Sequence, residues 1–216
     1  MEAEFADRTE AGERLAAVLS ARDWVDPVVI ALPRGGVPVG ARVAAALHVP
    51  LELLLVRKIG APGQRELAVA ALVDGDPPEL VLDHVAMAAS GATPAYVERE
   101  ALEAQRENER RRRVYLPGRA PLALAGRTVL LVDDGIATGT TVRAALRALR
   151  RRGPARLVLA VPVAPRGTVA ALRGEVDELV CLAQPRDFQA VGAHYADFEQ
   201  VDDAQVVAAL AAAGAA

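Results

Sequence analysis

Short runs in which nearly every residue is apolar alternate along the chain with stretches whose apolar residues recur every three or four positions. PVVIALP (27–33), LELLLVR (51–57), RTVLLVD (127–133), ARLVLAVPV (155–163) and ELVCLA (178–183) read as strands, and ELAVAALV (66–73) offers a further one. GVPVGARVAAALH (36–48), TTVRAALRALRRRG (140–153) and residues 166–173 have helical spacing. Strands with one wet face alternate apolar and polar residues; these do not, so both faces are covered. The pattern predicts an α/β fold, an open parallel sheet flanked by helices on both faces.

Three segments fall outside the alternation. Residues 7–21 form an amphipathic helix opened by Asp7, with Glu10 at capping-box spacing. Residues 94–113 form a long helix starting at Thr93-Pro94, whose thin apolar stripe (Val97, Ala101, Ala104) leaves most of it wet. Glu107 with Arg111 and Glu109 with Arg113 have the favourable i,i+4 order. In 184–216, Asp202 and Gln205 are placed to cap a final helix. The stretch 115–126 reads as an ordered connection. We expect one domain over 1–216, with a core at about 27–183 and a small hood from 1–22, 84–116 and 184–216.

Composition narrows the function more than the fold. The chain has 216 residues, 52% hydrophobic and 25% charged, with net charge −3, which does not suit a general polyanion binder. The single cysteine, Cys181, rules out a disulfide framework or a Cys-built metal site and fits a reducing cytoplasm. The acidic start MEAEFADRTE is unlike a signal peptide, and no apolar run is long enough to span a membrane. A serine hydrolase is excluded, since Ser20 and Ser90 are the only serines and neither sits in G-x-S-x-G. His48, His84 and His194 have no metal-ligand spacing. Of the 25 basic residues only Lys58 is a lysine, a position where a flexible ammonium has survived a strong arginine bias.

The chemistry concentrates in VLLVDDGIATGTT (129–141): a buried strand, two adjacent carboxylates, a loop of small and hydroxylated residues, then a helix. Ligands of open parallel sheets bind beyond the carboxyl ends of strands. Small residues before a helix N-terminus let backbone N–H groups approach an anion. The triphosphate loop G-x-x-x-x-G-K-[ST] is absent, so the cradle suits a different phosphate. Adjacent carboxylates repel a phosphate unless hydroxyls or a hard cation intervene, and a ribose 5-phosphate offers the hydroxyls. An isolated DDG would read as a strand-to-helix turn with an Asp cap.

The whole stretch resembles the phosphoribosyl pyrophosphate (PRPP) motif of type I phosphoribosyltransferases. The resemblance implies that Asp133 and Asp134 hold the ribose 2- and 3-hydroxyls, and that Ala137, Thr138, Gly139, Thr140 and Thr141 hold the 5-phosphate. LPRGG (32–36) resembles the family's pyrophosphate loop, with Arg34 contacting pyrophosphate, Gly35 and Gly36 admitting close backbone approach, and a cis bond at Pro33–Arg34. The lesser alternative for this segment alone is a simple Gly-rich strand-to-helix turn. VRKIGAPGQRE resembles the adenine and orotate enzymes: Arg57 and Lys58 reach pyrophosphate, and 59–66 form a flexible loop over the reacting centre.

The implied activity is transfer of a phosphoribosyl group from PRPP to a nitrogenous base or similar acceptor, with pyrophosphate released. Mg2+ would bind through substrate oxygens and water, near Asp133 and Asp134. A homodimer is implied, with no membrane or nucleic-acid partner. Two departures matter. Ala137 replaces the aspartate of hypoxanthine and guanine enzymes, which turns the reading away from 6-oxopurines. Residues 59–66 lack the Lys and His of the orotate loop, holding only Arg65. In QPRDFQAVGAHYADF (184–198), Phe188 or Tyr195 is placed to stack on a base, or the aromatics pack this segment onto the core. The competing function is a non-catalytic PRPP-sensing regulator whose arginine runs, 110–113 and 150–152, contact nucleic acid. Both runs end helices, where arginine also suits the dipole.

Overall fold

The computed structural model describes residues 3–213; the extreme ends of the expected 1–216 domain, and hence of its 1–22 and 184–216 segments, lie outside the described residues. In chain order the elements are α1 (Arg8–Ser20), β1 (Pro27–Ala31), α2 (Gly36–Leu47), β2 (Leu51–Leu53), β3 (Val56–Ala61), β4 (Gln64–Val73), β5 (Glu79–Leu82), α3 (His84–Ser90), α4 (Pro94–Tyr115), β6 (Thr128–Val132), α5 (Thr140–Arg151), β7 (Arg156–Val163), α6 (Arg166–Leu172), β8 (Glu178–Ala183) and α7 (Asp203–Ala213).

Five strands pair in the order β2-β1-β6-β7-β8, every neighbour parallel. Alternate residues feed two cores, as a pleated strand requires. Val29, Ala31, Leu130 and Val132 meet α1, α2 and α7 on one face. Val28, Ile30, Val129 and Leu131 meet α5 and α6 on the other. Both faces are therefore dry, which is why these runs carry no polar alternation.

The chain leaves this sheet sooner than expected. The run 51–57 is not one strand: β2 stops at Leu53, and the chain turns into β3 of a separate antiparallel sheet, β3-β4-β5. Asp74 holds the turn, its carboxylate accepting the Leu55 N–H at 3.0 Å while its own N–H donates to the Leu55 carbonyl at 2.9 Å. The expected flexible loop 59–66 is correspondingly a hairpin, with Pro62 and Gly63 at its tip and a register shift around Gly60. Its apolar face packs on α3 and α4 through Ile59, Ala61, Val69, Met87 and Val97. Strand β5 and helix α3 were not expected from sequence. The accessory layer is thus built largely from 56–115, which in sequence falls between β1-β2 and β6-β7-β8 of the parallel sheet.

The helix caps follow the sequence closely. Asp7 accepts the Glu10 N–H at 2.8 Å, Thr93 accepts the Tyr96 N–H, and Asp202 and Gln205 exchange reciprocal bonds of 2.7 and 2.9 Å. At α1 the Glu10 carboxylate returns to the Ala6 N–H, one residue before the cap. Along α4, Glu107 pairs with Arg111 at 2.8 Å as expected, whereas Glu109 accepts from Gln105 instead of pairing with Arg113. No described helix is long and apolar enough to cross a membrane.

Candidate functional site

Strands β1 and β6 are adjacent and in register, so the turns that follow them emerge side by side. LPRGG follows β1 and DDGIATGTT follows β6. The Leu32 N–H donates to the Val132 carbonyl at 3.0 Å, fastening one turn to the other. The Pro33–Arg34 peptide is cis, as the resemblance implied.

The two glycines of the first turn permit this contact. A Cβ on Gly35 would lie 2.0 Å from Asp134 Oδ2, and one on Gly36 would lie 2.9 Å from both the Asp133 Cα and the Val132 carbonyl oxygen. Any side chain at either position would occupy space held by the acidic pair.

Asp133 and Asp134 are largely withdrawn from solvent. Burial pushes both carboxyls above the usual carboxylate range, and the neighbouring Asp134 charge adds to the effect at Asp133. Arg8 partly offsets it at Asp134, donating from Nε at 2.7 Å, with both side chains mostly buried. The same guanidinium donates to the Glu199 carbonyl at 2.8 Å and lies 3.8 Å from the centre of the Phe198 ring. The Tyr195 hydroxyl donates to the Asp134 carbonyl at 2.5 Å. The pair is thus fixed from α1 on one side and from the 190s segment on the other. Neither Arg8 nor the Tyr195 hydroxyl was read from the sequence as supporting the acids. The cap at Asp7 was legible, but nothing local announced that the next residue reaches across the fold.

After the acids the chain forms an open loop. The Ile136 N–H donates to the Val163 carbonyl, Thr168 Oγ1 donates to the Ala137 carbonyl at 2.8 Å, and Gly139 caps α5 with φ 79°, a left-handed conformation that favours glycine. Ala137 and Thr138 are exposed; Thr140 and Thr141 are partly so. No side chain caps α5, so its first N–H groups are free to receive an anion.

The predicted cations are less close together. Arg34 pairs with Asp203, at the start of α7, at 3.6 Å, and Arg57 pairs with Glu107 on α4 at 3.9 Å. Arg110 joins the two carboxylates, at 2.8 Å from Glu107 and 3.4 Å from Asp203, and the Tyr115 hydroxyl donates to Asp203 at 2.5 Å. Arg34 and Arg57 thus belong to one network, whose carboxylates sequence reading had not picked out as site residues. The Arg110 and Arg111 guanidinium groups hold Glu107 down to about 2. Lys58 follows Arg57 on β3, and both line a cleft with Arg65 and Tyr96. Among the described residues no ion pair joins Lys58 to the acids or to the loop.

The aromatics of the 184–198 segment cluster with Phe5: Phe188, Tyr195 and Phe198 pack around it. Tyr195 is buried; Phe188 is partly exposed, with one face stacked on His194 at 5.2 Å. Cys181 is a strand residue whose thiol burial pushes up to about 11.

The model of the phosphoribosyl transferase domain matches residues 6–197. The Mycobacterium tuberculosis protein Rv0571c, provisionally named a phosphoribosyl transferase, is 44% identical over 209 residues, covering 95% of this chain and 46% of that protein. The chain therefore spans about half the length of the curated relatives it matches. The crystal structure of TT1426 from Thermus thermophilus superposes with a TM-score of 0.80 at 45% identity, covering 96% of this chain and 97% of the other.

Proposed function

The chain belongs to the phosphoribosyl transferase domain family, and we propose that it transfers the 5-phosphoribosyl group of PRPP to a nitrogenous base or similar acceptor, releasing pyrophosphate. One observation carries this reading: the acidic pair, the twin-glycine turn and the loop with free N–H groups converge at the carboxyl ends of adjacent parallel strands. A diol, a pyrophosphate and a terminal phosphate need those three surfaces together.

Asp133 and Asp134 receive the ribose 2- and 3-hydroxyls. Their raised pKa values fit this role, because a desolvated carboxyl gains from hydroxyl donors that replace lost water. Ala137 to Thr141 receive the 5-phosphate on main-chain N–H groups and threonine hydroxyls, at the positive end of the α5 dipole. Gly35 and Gly36, lacking side chains, let the main chain of this turn approach the pyrophosphate closely. Arg34, Arg57 and Lys58 neutralise it as it leaves, Arg34 and Arg57 exchanging Asp203 and Glu107 for its oxygens. The β3–β4 hairpin covers the reacting centre and excludes water. Phe188 offers a face to the acceptor. We propose a homodimer as the working form.

Among the described residues no group of three or more His, Cys, Asp or Glu side chains is poised to hold a metal. Mg2+ would bind through substrate oxygens and water, near Asp133 and Asp134, and would add charge neutralisation to the departing pyrophosphate.

The deciding experiment incubates the protein with PRPP, Mg2+ and a panel of bases and measures pyrophosphate. Release with one base supports the transferase. Tight PRPP binding without release across the panel supports the sensing regulator instead. Against the nucleic-acid form of that alternative, Arg110, Arg111 and Arg112 are all paired with carboxylates, as are Arg150 and Arg151.

A further inference from the structure

A cavity of about 310 Å³ lies between β2, the end of β4, α4 and the connector that precedes β6. None of the residues assigned above to PRPP lines it. Aliphatic walls come from Ile30, Leu54, Leu72, Leu122 and Leu124. Into this apolar space the fold places polar groups that the protein leaves incompletely paired.

Glu52 is only 8% exposed, and Asn108 only 5%. Glu52 Oε1 accepts the Leu53 N–H at 2.9 Å, while Oε2 has no hydrogen-bond partner among the described residues. Asn108 Nδ2 is buried and likewise without a partner. Buried polar groups are nearly always satisfied, and the unpartnered Asn108 amide, on the wall that also carries the half-paired Glu52 carboxylate, is an exception that points to a ligand. The lining acids are Glu52, Asp74, Asp76 and Glu109, against Arg112 and Arg152. Both arginines are committed to Asp74, Arg112 to its carboxylate and Arg152 to its carbonyl, each at 2.5 Å. Among the described residues no cation lies within ion-pair distance of Glu52. Burial raises the pKa of Glu52, so its charged form would gain from a donor that follows it out of water.

We propose that this cavity is a second binding site, taking a small planar molecule that presents adjacent N–H donors on one edge and an apolar face, an amidine or an amino-substituted heterocycle. The donor edge meets Glu52, the ring lies against the leucines, and an acceptor on the molecule, where there is one, meets Asn108. Phosphorylated ligands are disfavoured by the surplus of acids. The volume falls at the lower end of small-molecule sites.

Benzamidine and 2-aminobenzimidazole are suitable probes, titrated calorimetrically into the full chain. Saturable binding of at least one is expected. Glu52→Gln keeps the side-chain shape and is expected to weaken binding about tenfold, the loss of one charge-assisted contact. Leu122→Trp fills the cavity from the connector while leaving the Glu52 carboxylate in the chain and is expected to abolish binding. The Asp133→Asn/Asp134→Asn double variant is expected to bind the probes like wild type, which separates this site from the PRPP site. Should Glu52→Gln fail to fold, Leu122→Trp decides. The proposal is overturned if neither probe binds at millimolar concentration, if binding survives Leu122→Trp unchanged, or if it disappears with the acidic pair.

Discussion

Alanine at Gly35 and at Gly36 should fail in different ways, because the two glycines touch different parts of the acidic segment. A Cβ at 35 meets the far end of a side chain, Asp134 Oδ2 at 2.0 Å. Ordinary contact begins near 3.4 Å, so the carboxylate must move by about 1.4 Å (3.4 − 2.0). A carboxylate can swing, and Gly35 already has helical torsions, φ −60° and ψ −36°, so the stability cost stays near 1 kcal/mol, or about 2–4 °C in Tm for a domain of this size. Yet such a displacement strains the 2.7 Å bond to Arg8 and misplaces the hydroxyl clamp. Misplacement on the order of 1 Å costs roughly 100-fold in a positioned site, equivalent to about 2.7 kcal/mol of PRPP binding. A Cβ at 36 meets main chain of a central strand at 2.9 Å on two atoms, neither of which can swing. Gly36→Ala should therefore cost about 3 kcal/mol, or roughly 6–12 °C in Tm. Thermal melts and calorimetric titration of PRPP with Mg2+ on both variants check this. Wild-type affinity in a well-folded Gly35→Ala would refute the assignment of Asp134 to the sugar, and equal Tm losses would refute the side-chain-versus-backbone distinction.

Asp133→Asn with Asp134→Asn should abolish PRPP binding and leave the free protein more stable at neutral pH. The raised pKa values mean that this part of the stability is fully present below the ordinary carboxylate range and is lost as pH rises through the raised values. The Tm gain should thus be larger at pH 7 than at pH 4, and a gain independent of pH would contradict the burial argument. Arg8→Ala should cost about 1–3 kcal/mol in chemical denaturation, because Asp134 takes up a proton rather than staying a bare buried charge; an unchanged midpoint would remove Arg8 from the site's support. Glu107, held at about 2, contributes stability above its ordinary pKa of 4.5 that is lost as pH falls towards 2. Its exposed pairs limit the effect to under about 1 kcal/mol, and Glu107→Gln should flatten that part of the acid limb. Lys58→Ala should lower kcat more than it weakens PRPP binding, and an unaltered kcat would take Lys58 off the list of groups that meet the leaving pyrophosphate.

The parallel sheet was legible because each strand is buried on both faces, and a continuous Val/Leu/Ile run has few other uses. The loop after β6 was legible for a related reason: two acids followed by six small residues within 133–141 are costly in a strand-to-helix turn unless a ligand meets them there. The break at Leu54-Leu55 was not legible. Leu53 to Val56 look alike as sequence, and what divides them is Asp74, distant in the chain, capturing the Leu55 N–H. The hairpin was obscured by its glycines and proline, which mark mobile loops and tight tips alike. Asp203 and Glu107 were visible only as a residue of the final helix's first turn and as a helix-face partner. Their link to Arg34 and Arg57 depends on how α4 and α7 sit against the turn after β1, and no local pattern encodes that.

The pairing of β1 with β6 also bears on how the molecule comes to exist. Residues 27–31 and 128–132 are neighbours in space, yet everything from α2 to the connector lies between them. Bringing such distant stretches together is entropically costly and slow, whereas the intervening hairpin can zip up locally. The proposed sugar-phosphate pocket straddles this one seam, so on that reading no partly folded species lacking it can hold PRPP. Acquisition of PRPP affinity during refolding should therefore time the closing of that seam.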